Sequence, residues 1–119
     1  MFTAAIPYTQ LNELELVNTL RRGVGDKAIT HGTYTLVMRE LNNDEADGLI
    51  VRSTLNPVKL HEKALELARK HTANVGCRSL DILHVASALL LGAQNFASFD
   101  LKQRKLAQAV RLAQVPALF

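Results

Sequence analysis

Leu60, Ala64, Leu67 and Ala68 recur three and four positions apart, which predicts a helix over 58–71 with one apolar face. Pro57 suits the opening of that helix, and the polar, glycine-ended stretch 74–76 breaks it. Nearer the start, Leu14, Val17 and Leu20 turn at helical spacing. They predict a helix to about Arg22, capped by Thr9 or Asn12 and stopped by Gly23 and Gly25. Thr30 is placed to cap a second helix over 32–42, where Leu36, Val37 and Leu41 are the apolar positions. Shorter apolar runs carry the strand signal. Residues 2–6 read as extended, with Pro7 disfavouring helix at the residue before it, and 49–52 reads as a strand between Gly48 and Asn56-Pro57. Ser79 is the expected cap of a helix over 82–91, with a turn at Gly92-Ala93 and a strand over 95–99 behind it. A basic helix over 101–111 and a last edge strand over 115–119 complete the chain. Helices interleaved with short strands predict an α/β fold with a small parallel sheet, in which three strands at most are visible. No repeat, low-complexity tract or linker divides the chain, so a single domain over 1–119 is expected.

Composition narrows the class without naming a function. At 119 residues, 48% apolar and 21% charged, the chain can bury one core and does not read as disordered. No apolar run approaches the roughly 20 residues that span a bilayer, and the opening MFTAAIPYTQ lacks the pattern of a secretory signal. Cys77 is the lone cysteine, so no internal disulfide forms and a reducing cytosol is the expected compartment. The net charge of +3 and pI near 9.3 admit a phosphate-bearing partner. The basic residues gather at Arg21-Arg22, 59–78 and 102–105, where solvated helix faces are the favoured account of each cluster. The few aromatics are not interleaved with these clusters, which argues against a base-stacking platform.

The chemistry concentrates in LDILHVASALLLGAQNFASFD, which begins at Leu80. Asp81 heads the apolar helix and Asp100 follows the short strand. A βα layer that folds this unit back on itself delivers both acids to one sheet edge. Two neighbouring carboxylates repel unless a cation or a shared proton holds them, so a divalent metal site is the leading functional reading. From spacing alone each acid has a simpler account: Asp81 satisfies a helix N-terminus, and Asp100 caps the helix after it. Ser98, two residues before Asp100, shares its strand face and can orient it, or be no more than a small strand residue with a local hydrogen bond. His84 lies on the helix face of Asp81, but zinc would need two further ligands that the pattern lacks, so a partly buried histidine bonded to the chain is expected. His61, Glu62 and His71 miss the spacing of a zinc protease. Gly23-x-Gly25 follows a helix rather than a strand and is no phosphate loop, and nothing around Cys77 supports a thiol nucleophile.

The run SLDILHVASALLLGAQNFASFDLKQRKLA resembles the C-terminal half of a PIN domain, the metal-dependent ribonuclease fold of VapC-like toxins. The matching positions are Asp81, His84, Ala86, Ala88, Gly92, Ala93, Ser98 and Asp100. Upstream, LNELELVNTLRRGV is similar to the family's acidic helix, which places its Glu at Glu15 and its Asn at Asn18. Glu13 competes for the first role, but Glu15 sits between two leucines and has Asn18 three positions on. The resemblance implies a three-layer PIN-like domain in which Glu15, Asp81 and Asp100 hold Mg²⁺ or Mn²⁺, with Asn18 and Ser98 supporting. It implies an RNA substrate, an antitoxin that blocks the site, and a homo-oligomer. The family pattern begins with an apolar strand ending in Asp, and no Asp precedes Glu15 here. The expectation is therefore an N-terminally truncated domain, with two alternatives: a non-catalytic remnant serving as a binding or assembly module, or a start codon placed too far downstream.

Overall fold

The computed structural model describes residues 5–98 and 100–115. The elements run β1 (Ile6–Tyr8), α1 (Gln10–Gly25), α2 (His31–Ala46), β2 (Ile50–Arg52), α3 (Pro57–Val75), α4 (Ser79–Leu90), β3 (Asn95–Ala97), α5 (Leu101–Ala109) and β4 (Ala113–Val115). They fall into two compact units, one up to Thr54 and one from Leu55.

In the first unit, β1 and β2 pair in parallel, with Ile6 opposite Ile50 and Tyr8 opposite Arg52, and α1 and α2 form the connection between them. Thr9 is the cap of α1. Its hydroxyl accepts from the Asn12 N–H, and the Asn12 side chain accepts from the Thr9 N–H, so two of the helix's orphan donors are satisfied reciprocally. The helix does not stop at Gly23. It continues to Gly25, and the Gly23 position lets Ile29 approach: a Cβ there would stand 3.1 Å from the Ile29 side chain. Thr30 caps α2 as expected, accepting from the Thr33 N–H. Arg52 ties the elements together, donating at 2.6 Å to Glu13 on α1 and to Glu45 on α2, with its guanidinium over the Tyr8 ring. Burial, followed by the charge of Glu13, raises the Tyr8 hydroxyl above its ordinary pKa.

The second unit carries a packed core. Leu67 of α3, Ile82, Val85 and Ala86 of α4, and Leu106 and Ala107 of α5 close on Cys77, Phe96 and Leu112. Leu106 and Val85 are fully buried. Asn56 caps α3 through the N–H groups of Val58 and Lys59, Pro57 occupies the first turn, and Gly76 ends the helix in the left-handed region at φ 73°. α4 begins earlier than its sequence suggests. Arg78, not Ser79, is its cap residue, because Asp81 reaches back to the Arg78 N–H at 2.9 Å. β3 and β4 pair in parallel, Phe96 opposite Gln114, with α5 as the crossover. Four strands are thus formed among the described residues, in two separate parallel pairs rather than one sheet. Phe99 and 116–119, at the ends of the two last expected strands, lie outside the described residues. No helix among them is long and apolar enough to cross a membrane.

The two glycines at helix ends should respond oppositely to alanine. Gly76→Ala forces a Cβ into a left-handed turn and is expected to destabilise by about 1 kcal/mol. Gly25→Ala, at the end of α1 with open space around the new methyl, should leave stability unchanged or slightly raised. Urea unfolding of the two variants beside the parent checks both signs.

Candidate functional site

Asp81 and Asp100 each perform the local task that their positions suggest. Asp81 occupies the third position of α4, where its Oδ2 accepts from the Arg78 N–H. Asp100 caps α5, its Oδ1 accepting from the N–H groups of Lys102 and Gln103 at 2.9 and 3.0 Å. A negative charge suits both places, because each faces the positive end of a helix. Asp81 is buried at 9% exposure, whereas Asp100 is exposed.

The two acids are also joined to each other. The Gln103 Nε2 donates to Asp81 Oδ1 at 3.2 Å, while the backbone of the same residue donates to Asp100. Ser98 completes the ring. Its hydroxyl accepts from the Asp100 N–H at 3.0 Å and donates to Gln103 Oε1 at 2.9 Å. The acid–helix–strand–acid order of the sequence therefore folds back on itself: Asp81, Ser98 and Asp100 form one hydrogen-bonded group at the start of α4 and α5. Among the described residues, no Lys, Arg or His nitrogen lies within ion-pair distance of either carboxylate.

Glu15 and Asn18 stand one turn apart on α1, Glu15 half-buried and Asn18 exposed. They belong to the unit that ends at Thr54, and the ring of Asp81 belongs to the other. Glu13, the competing acid, is engaged by Arg52. Among the described residues, no group of three or more His, Cys, Asp or Glu side chains gathers as a metal cluster.

A family model described as PIN domain matches residues 8–109. The chain belongs to the PIN domain family. PIN domains are nuclease-like, generally use divalent metals and commonly bind RNA. The match runs through both units and includes Glu15, Asn18, Asp81, Ser98 and Asp100. Comparison with curated proteins and with solved structures gave no match.

The side chains of this PIN domain suit a hard cation. Asp81 and Asp100 offer carboxylate oxygens, the donors that Mg²⁺ and Mn²⁺ prefer. Each Asp81 oxygen accepts one hydrogen bond and keeps a lone pair, and no hydrogen bond falls on Asp100 Oδ2 among the described residues. Neutral amides surround the buried Asp81 without cancelling its charge, so a cation would compensate it.

Two residues of the PIN domain site escape a reading by residue type. Gln103 stands three positions after Asp100, a spacing that signals a capping box, and that was the available clue. Arg104 is buried at 6% exposure, and its Nη1 donates to the Ser98 carbonyl at 2.7 Å, just past β3. It read as one more member of a solvated basic face. His84 is buried in α4, deeper than the partly buried histidine expected, and Cys77 is a core residue beside the Thr72 hydroxyl.

Proposed function

We propose that this PIN domain is a Mg²⁺- or Mn²⁺-dependent endoribonuclease of VapC type, the toxin of a toxin–antitoxin pair. The observation that carries the reading is the hydrogen-bonded group of Asp81, Ser98 and Asp100, which holds two carboxylates together with, among the described residues, no cationic side chain on either. Asp81 and Asp100 are the proposed metal ligands within their unit, Glu15 is proposed for a ligand's role by its place in the family pattern alone, and the chain is read as one domain because the family match crosses both units. Asp81 and Asp100 would hold a divalent cation, which would supply Lewis-acid polarisation of a phosphodiester and a more acidic water. The chain's own residues prepare that chemistry. Ser98 and Gln103 orient the carboxylates, Arg104 binds the Ser98 carbonyl, and Asn18 is assigned to a phosphate or a water. The proposed partners are RNA, an antitoxin protein that covers the acids, and a second copy of the chain, in the cytoplasm.

A specific observation supports the second reading, a non-catalytic module: Asp81 and Asp100 each already serve as the acceptor at a helix start, a task that needs no metal. One experiment separates the two. A fluorescent single-stranded RNA incubated with the chain should be cleaved in Mn²⁺ or Mg²⁺ and left intact in EDTA. Binding of that RNA without cleavage in either metal would establish the module instead.

A further inference from the structure

In a helix start of the type Asp-x-x-Gln, the glutamine ordinarily turns back to the N–H of the cap residue. Here Ser98 has taken that place: the Asp100 N–H donates to the Ser98 hydroxyl, not to Gln103. The carboxamide of Gln103 is thereby released to leave its own helix and reach Asp81, 22 residues earlier in the chain. Asp81 decides which way round the carboxamide lies. A carboxylate oxygen only accepts, so the NH₂ end faces Asp81, and Oε1 is left to accept from the Ser98 hydroxyl.

From this geometry we infer that Gln103 is a positioning residue for the metal site, locking the Asp81 carboxylate in register with Asp100. The inference rests on the proposed metal-binding role of those two acids. Gln103 touches neither metal nor substrate. It acts through Asp81, in the manner of outer-shell groups whose loss costs about 10–100-fold in metal affinity. Only an amide fits the position. A carboxylate would keep the bond from Ser98 but would present an acceptor to Asp81, and an aliphatic chain would lose both contacts.

The test uses the full chain and the dependence of Tm on Mn²⁺ concentration, which reports binding by linkage without any turnover. Gln103→Met, close in shape but unable to donate, should need about tenfold more Mn²⁺ for the same rise in Tm. Gln103→Glu should melt lower than the parent in EDTA, because two carboxylates now face each other. Mn²⁺ should then restore more of its Tm than it adds to the parent, because a cation between the two carboxylates offsets their repulsion. If Gln103→Met does not fold, Gln103→Glu alone decides. Parent-like Mn²⁺ dependence in both variants, or in Gln103→Glu alone where Gln103→Met is unfolded, would overturn the positioning role while leaving the metal site standing. A parent chain whose Tm ignores Mn²⁺ would overturn the metal reading, and the role of Gln103 with it.

Discussion

Asp100→Asn is expected to abolish metal-dependent RNA cleavage, by about a hundredfold or more, while the melting temperature stays close to that of the parent. The two effects separate because Asp100 does two jobs with different requirements. As the cap of α5 it needs only an oxygen that accepts from the N–H groups of Lys102 and Gln103, and asparagine caps as well as aspartate. As a proposed cation ligand it needs its charge, and removing a direct ligand should cost at least as much as the 10–100-fold associated with outer-shell losses. Asp100→Ala removes both functions, and should add a stability loss of about 1 kcal/mol from the missing cap. Cleavage rates in Mn²⁺ beside thermal melts of the two variants make the comparison. Asp100→Asn cutting RNA at the parental rate would leave Asp100 as a helix cap and nothing more. Asp81→Asn is a less clean probe, since one of its two hydrogen-bonded oxygens would become an NH₂ group facing a donor.

That double use explains how much of the site could be read from sequence. The helical order, the starts of α2 and α3 at Thr30 and Pro57, and the place of each acid at the start of its own helix follow from local signals. Each depends on contacts within three or four residues. Gly23 misled because a glycine also serves close packing, and the approach of Ile29 cannot be seen in a window of a few residues. The one-residue error at Ser79 arises from the next turn, where Asp81 bonds back to Arg78 and draws the cap with it. Gln103 and Arg104 lay out of reach for a different reason. Both have a polar side chain on a short basic helix, and what distinguishes them is a partner on another element. For Gln103 that partner is Asp81, and for Arg104 it is the Ser98 carbonyl. Such contacts exist only after β3 and α5 have packed against α4. Glu15 and Asn18 rest on the family pattern alone, and of the two caps offered for their helix, Thr9 or Asn12, the structure uses Thr9 with Asn12 bonded back to it.

Leu106→Ala is expected to give the largest loss of stability of any single substitution considered, about 2–5 kcal/mol, or on the order of 10 °C in Tm. Leu106 has no exposed surface and stands where α5 meets the cluster of Leu67, Val85 and Phe96, so its removal leaves a cavity that only partial relaxation can fill. Leu101→Ala supplies the control on the same helix. Leu101 is 69% exposed, and its loss should change stability by no more than about 0.5 kcal/mol. The consequence extends to the site, because α5 carries the Asp100 cap at one end and Gln103 one turn later. Loosening its packing should weaken the Mn²⁺ response of Leu106→Ala even at temperatures where the variant is folded. Guanidinium unfolding and Mn²⁺-dependent melts of both leucine variants test the two links separately. Equal losses at Leu101 and Leu106 would mean that α5 is not seated on the core as the structure has it. A destabilised Leu106→Ala that keeps the full Mn²⁺ response would show that the acids are held by their own hydrogen bonds, independently of the packing beneath them.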